Sequence, residues 1–300
     1  MSLRSVAKGI LILSIACVAW GASFPVIKVV MSYVDVYTYL WVRSSIALAA
    51  LTPFVAMSAL RKGKAVTRRC VVGGLATGIA YTAGLGLQAV GTHLTEASRA
   101  AFITGFTTVF VHAYASMVER AYSHELGAAL ALSIAGLYLM TKPSGGLSFG
   151  DALILLSAVA WAAQVVLVSR YSECNPMTFV FFENVPPVAA FLPLDYALTG
   201  GPHGLTSVSL AGLSFLGIAC SVAAFALQVV GQRLVDAATA AVVYQTEPVY
   251  AALIAHAMLG ESMSLIECVG ASLILAATIL AGVGSARLAS THASTKALRK

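Results

Sequence analysis

Leu87 to Ala101 reads LQAVGTHLTEASRAA and Leu227 to Ala241 reads LQVVGQRLVDAATAA, identical at eight of fifteen positions with a constant offset of 140. Such a match between two parts of one chain marks an internal duplication. Neighbouring offsets pair Ala19-Trp20-Gly21-Ala22 with Ala160-Trp161-Ala162-Ala163, and Glu119 with Glu261. The copies therefore divide the chain into residues 1–142 and 143–286, with 287–300 left as a tail.

The duplicated unit is built for lipid. The 300 residues are 59% hydrophobic and only 10% charged, with a mean hydropathy of +0.88, where a soluble domain carries about 25% charge. Apolar runs near 10–30, 36–58, 71–90, 97–118, 124–141, 149–169, 177–198, 209–230, 237–258 and 263–284 have the length of roughly 20 residues that a helix needs to cross a bilayer. A barrel would alternate apolar and polar residues in segments of about ten. The expected fold class is an all-α integral membrane protein of ten transmembrane helices. Nucleic-acid binding and a secreted scaffold are excluded. The first run follows Arg4 and Lys8 and resembles a signal peptide, but it continues to Val30, beyond a usual h-region, and reads as a retained helix.

Five spans per copy is an odd number, so the second copy enters the membrane from the opposite side. That is the inverted repeat of secondary transporters, whose halves rock about a site near the midplane. Orientation follows from Lys and Arg, which favour cytoplasmic loops. With the N-terminus inside, fourteen of the eighteen fall on the cytoplasmic side, three outside (Lys28, Arg99 and Lys142) and Arg43 within a span. Both termini are expected in the cytoplasm, and the membrane is expected to be the cell membrane. The cluster from Arg61 to Arg69 reads as a topology determinant. Among the cysteines, Cys17, Cys220 and Cys268 lie in apolar runs and Cys70 and Cys174 lie singly near helix ends. Neither a metal site nor a disulfide framework is expected.

Three charges sit well inside spans: Arg43, Glu183 and Glu247. Each costs at least about 2.5–3.5 kcal/mol there and calls for a partner or a wet cavity. Arg43 and Glu183 occupy equivalent places in the two copies, so they are expected either as a structural pair or as separately capped groups, or else with one or both facing the permeation path to bind a charged substrate group. Glu247 precedes Pro248, which removes a backbone donor and bends its helix. Burial favours the neutral carboxyl, which suits Glu247 to take up and release a proton or to meet a substrate amine.

Helical spacing places Gly74, Gly78, Tyr81, Leu85 and Gln88 on one face of the third helix, with Ser214, Ser221, Phe225 and Gln228 as counterparts on the eighth. Tyr244 and Glu247 share a face of the ninth, with Thr104 and Thr107 equivalent on the fourth. Trp20 and Ser23 match Trp161 and Gln164 on the first and sixth. Together these polar and aromatic groups are candidates to line a pocket for a small amphipathic molecule, whereas the glycines are expected to serve close packing. Gly21 with Pro25, Pro186 with Pro187, and Pro248 are candidate hinges. His112 and His256 are more simply packing residues than proton relays.

Trp20-Gly21-Ala22-Ser23-Phe24 with Lys28, Arg43, Glu247-Pro248-Val249 and Leu259-Gly260-Glu261 resemble the EamA-type branch of the drug/metabolite transporter superfamily over residues 10–284. Thr108 stands where the first copy would carry a proline matching Pro248, and Glu183 replaces the arginine matching Arg43. The resemblance implies export or exchange of small metabolites, often amino acids, through a cavity bounded by helices one to four and six to nine. Helices five and ten would be peripheral and available for a homodimer. Drug-like cations and sugar metabolites are alternative substrates. No catalytic residue is assigned: HExxH, Gly-x-Ser-x-Gly and GxxxxGK[ST] motifs do not occur, so neither a membrane enzyme nor direct ATP drive is expected. The expected partners are a small-molecule substrate and the bilayer, without a cofactor.

Overall fold

The computed structural model describes residues 3–60, 66–95, 97–119, 122–142, 148–259 and 264–298. Arg61, Lys62, Lys64, Arg120 and the Gly260-Glu261 motif lie outside them. The chain runs as α1 (Leu3–Met31), α2 (Val36–Leu60), α3 (Arg68–His93), α4 (Ala97–Thr104 and Thr107–Met117), α5 (His124–Thr141) and α6 (Phe149–Tyr171). It continues as α7 (Pro176–Glu183 and Val185–Leu198), α8 (Ser207–Phe215, Leu216–Ala224 and Phe225–Gly231), α9 (Ala237–Tyr244 and Glu247–Leu259) and α10 (Leu265–Leu298). Nine helical stretches among the described residues are long and apolar enough to cross a membrane. The tenth unit, α9, is divided within its apolar run.

Short polar side chains start the helices where loops meet lipid. Thr67 accepts from the Cys70 amide, Ser123 from Leu126 and Asp236 from Thr239. Ser148 with Asp151, and Thr206 with Ser209, close reciprocal capping boxes at α6 and α8. Each satisfies amides that a helix leaves unpaired at its first turn.

Glycine pairs reveal the symmetry. A Cβ on Gly91 of α3 would lie 2.9 Å from the Gly150 carbonyl oxygen of α6, and one on Gly150 would lie 2.8 Å from that of Gly91. The equivalent residues Gly231 of α8 and Gly9 of α1 face each other at 3.4 and 3.2 Å. Gly136 of α5 and Gly270 of α10 meet reciprocally at 2.6 Å. Helices of one copy thus pack on helices of the other by backbone approach that only small residues permit. Gly74 and Gly78 serve packing as expected, since Cβ atoms there would sit 2.6 Å from the carbonyl oxygens of Phe179 and Glu183.

The offset between the copies is not constant. Gly73 and Gly78 of α3 correspond to Gly212 and Gly217 of α8, an offset of 139, whereas Gln88 and Gly91 correspond to Gln228 and Gly231, an offset of 140. One extra residue enters α8 between them, within the Leu216–Ala224 stretch that is wound as a π-helix. A π-bulge is the usual way to absorb a single insertion. It corrects the uniform alignment: Leu213, not Ser214, is the counterpart of Gly74.

One further expectation is corrected. Cys70 and Cys174, which the sequence places singly near helix ends, form a disulfide with Cα atoms 5.4 Å apart; their sequence separation of 104 residues hides the contact. Of the two arrangements expected for Arg43 and Glu183, a pair or separately capped groups, the structure has the second: Arg43 bonds neutral groups only, and Glu183 bonds an amide.

Candidate functional site

The centre of the molecule is a polar and aromatic assembly drawn from both copies. Arg43 of α2 is 5% exposed. It donates from Nε and Nη2 to Ser221 Oγ at 3.3 and 3.0 Å and from Nη1 to the Tyr39 hydroxyl at 2.5 Å. Tyr39 lies one turn before Arg43, so its side chain shares that face. Ser221 comes from the π-helical stretch of α8.

Glu183 ends the first segment of α7 and is fully buried. Its Oε1 accepts from Gln164 Nε2 of α6 at 2.8 Å, while Oε2 has no hydrogen-bond partner. Gln164 and Gln228 exchange amide hydrogen bonds at 3.1 and 3.0 Å. The buried Tyr81 hydroxyl makes no hydrogen bond of good geometry, and the Ser221 hydroxyl is its nearest recorded polar neighbour.

Aromatic rings link the halves. Trp161 lies 5.7 Å from Tyr81, Tyr81 5.0 Å from Phe225, Phe225 5.4 Å from Trp20, and Trp20 5.6 Å from Tyr244. Trp161 Nε1 donates to Gln88 Oε1 at 3.0 Å, and Gln88 Nε2 to Thr104 Oγ1 at 3.3 Å. Trp20 Nε1 donates to the Cys220 carbonyl at 3.3 Å, a group in the π-helical stretch. Tyr244 donates to Gln232 Oε1 at 3.2 Å.

Other expected site residues have the following surroundings. Ser23 donates to its own helix at the Trp20 carbonyl, 2.6 Å. Thr107 Oγ1 is buried without a partner. Glu247 has no hydrogen-bond partner among the described residues and opens the second segment of α9, where its carbonyl backs onto Gly21 of α1. His112 is a packing residue: Nε2 faces the Ala238 carbonyl at 3.1 Å and Nδ1 the Tyr122 hydroxyl at 2.7 Å. The carbonyl can only accept, so the proton is on Nε2 and Nδ1 accepts from the tyrosine.

The hinge candidates divide. α1 runs unbroken through Gly21 and Pro25. α7 breaks at Asn184, with Pro186 and Pro187 in the next first turn, and α9 breaks at Gln245–Thr246 just before Pro248. A proline in a first turn loses no helical bond. α4 breaks at the equivalent place, Gly105–Phe106, without a proline. The two breaks touch: Gln245 Nε2 donates to the Gly105 carbonyl and to Thr108 Oγ1, both at 2.9 Å, and Thr108 donates to the Ala241 carbonyl at 3.1 Å. Thr108 in the proline's place therefore keeps the break and gains a bond to the other copy. Sequence reading missed Tyr39, Gln245 and the Thr108 contact; the polar Gln245 inside an apolar run was the available signal.

Discontinuous helices meeting between repeats are the form that transporters give to irregular backbone inside a membrane. The EamA-like transporter family model matches residues 7–142 and again 148–283. An Archaeoglobus fulgidus protein, named only as an uncharacterized transporter, is 28% identical over 270 residues, covering 89% of this chain and 83% of its own. A Haemophilus influenzae protein of the same description is 30% identical over 118 residues, covering 39% and 69%. A protein of known crystal structure superposes with a TM-score of 0.77 over 94% of this chain and 99% of its own, at 15% identity, a likeness of fold alone. With both copies matched, the chain belongs to the EamA-like transporter family, a multi-pass membrane transporter of the drug/metabolite superfamily.

Proposed function

We propose that the protein is a secondary exporter or exchanger of small zwitterionic metabolites, foremost amino acids, working by alternating access of its two inverted repeats. One observation carries this reading. Arg43 and Glu183 are both buried, stand at equivalent places in the two copies, and each lacks an oppositely charged partner among the described residues. Uncompensated buried charges are costly, and a molecule bearing a carboxylate and an ammonium would compensate both at once. The unpartnered Glu183 Oε2 supplies a free polar atom for it, and the aromatic series would enclose its side chain. In this reading the bundle sits in the cell membrane with both termini cytoplasmic, no residue is catalytic, and a second copy would dock on the outer faces of α5 and α10.

The test is a proteoliposome panel of labelled neutral amino acids, sugars and cationic dyes, with and without a pH gradient. Uptake of amino acids above the other classes is the expected outcome. Uptake of dyes alone would favour a cation permease in which Glu183 is the only charge used. Glu247→Gln is expected to remove the part of transport driven by the pH gradient while the protein elutes and melts as wild type. Unchanged pH dependence would reject proton coupling through Glu247.

A further inference from the structure

Cys70 and Cys174 are the one disulfide among the described residues, and they join parts that the transport reading needs to control. Cys70 sits in the first turn of α3, and Cys174 in the turn between α6 and α7. Cys174 is followed, after the N-cap Asn175, by Pro176–Glu183, an eight-residue helix that ends at a break and carries Glu183 at its last position. That short helix lies along α3 by backbone contact, Phe179 against Gly74 and Glu183 against Gly78. Its one covalent attachment to α3 is the bridge.

Both cysteines are buried in an apolar cluster, so exchange requires the turn between α6 and α7 to open. Arg69 adjoins Cys70, donates to the Arg170 carbonyl at 3.2 Å and stands 5.9 Å from the Tyr171 ring. Arg233 donates to the carbonyls of Ser172 and Cys174. Thr67 Oγ1 lies 3.1 Å from Cys70 Sγ. The Thr67 hydroxyl is the one side chain recorded on a sulfur of the pair, and it can donate to a Cys70 thiolate, the reactive form. The arginine-rich side is the one the charge bias assigns to the cytoplasm, where a disulfide is seldom structural and is more often redox-sensing.

We propose that Cys70 and Cys174 form a reversible thiol–disulfide pair whose oxidation clamps the Glu183-bearing segment of α7 onto α3, and whose reduction releases it. Oxidation proceeds by exchange with a low-molecular-weight disulfide such as glutathione disulfide. One protein thiolate attacks it and expels one thiolate; the second protein thiolate then closes the bridge and expels the other. The protein pair loses two protons and two electrons, and the small disulfide becomes two thiols. This rests on Glu183 belonging to the transport site, but its test does not use transport, so the two ideas fail separately.

The full chain in lipid nanodiscs is equilibrated in glutathione buffers from oxidising to cytoplasmic poise. Thiol alkylation followed by mass spectrometry reads the pair, and hydrogen–deuterium exchange reads residues 174–184. Reduction at cytoplasmic poise with reoxidation by glutathione disulfide is expected, together with roughly tenfold faster exchange in 174–184 on reduction and none in α10. The double variant Cys70→Ser, Cys174→Ser should match the reduced protein and ignore the buffer. A pair that stays oxidised at cytoplasmic poise, or exchange rates within about twofold in the two states, would overturn the proposal; both are read on the wild-type protein, so a misfolded variant cannot obscure them.

Discussion

Arg43→Ala is expected to lower kcat/KM for a zwitterionic substrate by about 100-fold, about 2.7 kcal/mol of lost transition-state binding, in the proteoliposome assay. The guanidinium is held through all three nitrogens by two hydroxyls, Ser221 at Nε and Nη2 and Tyr39 at Nη1, leaving its face fixed before substrate arrives. Arg43→Lys should recover less than a tenth of the loss, because an ammonium cannot reproduce two contacts to Ser221 and one to Tyr39 from a planar fork. Tyr39→Phe removes one of those contacts and leaves the charge, so an intermediate effect is expected, about tenfold. The informative comparison is between substrates. An amine lacking the carboxylate should be transported equally poorly by wild type and Arg43→Ala. If all substrates fall in parallel, or none falls, Arg43 is a structural residue and the assignment of carboxylate recognition is lost.

The reach of the sequence can be argued from the same residues. Duplication and span count were legible because a copied segment such as Leu87–Ala101 keeps both its apolar length and its polar interruptions. What stayed hidden was rotational register. In lipid, helix faces are apolar all round, so no amphipathic stripe records which face turns inward. The π-helical insertion in α8 turns Ser221 toward Arg43, and a single added residue leaves hydropathy unchanged. The α4 break was obscured by the absence of proline, since the interruption at Gly105–Phe106 is held by Gln245 from the other copy, a tertiary contact 140 positions away. Arg43 and Glu183 were found as charges, but their lack of mutual contact depends on local partners: Tyr39 and Ser221 for one, Gln164 for the other.

Gly78→Leu and Gly217→Leu should behave as a symmetric pair, and their equivalence is a direct test of the two-copy architecture. Gly78 of α3 lies against the Glu183 carbonyl and Gly217 of α8 against the Arg43 carbonyl, where an added Cβ would come within 2.6 and 2.8 Å. Those oxygens belong to helix backbone, which cannot move aside as a flexible side chain can. Each leucine must therefore push a whole helix away, α7 in one case and α2 in the other, and with it the charged residue whose carbonyl is displaced. Overpacking of this kind costs about 1–3 kcal/mol, to be read as a lower melting temperature in detergent, and transport should be abolished in both. The charges would be moved and not removed, so raising substrate concentration should not restore the rate. Gly127→Ala is the control: its Cβ would meet nothing nearer than Tyr122 at 3.6 Å, and both melting temperature and transport should stay at wild-type values. If Gly78→Leu is tolerated while Gly217→Leu is not, the two interfaces are not equivalent, and the correspondence of Arg43 with Glu183 that supports zwitterion recognition falls with them.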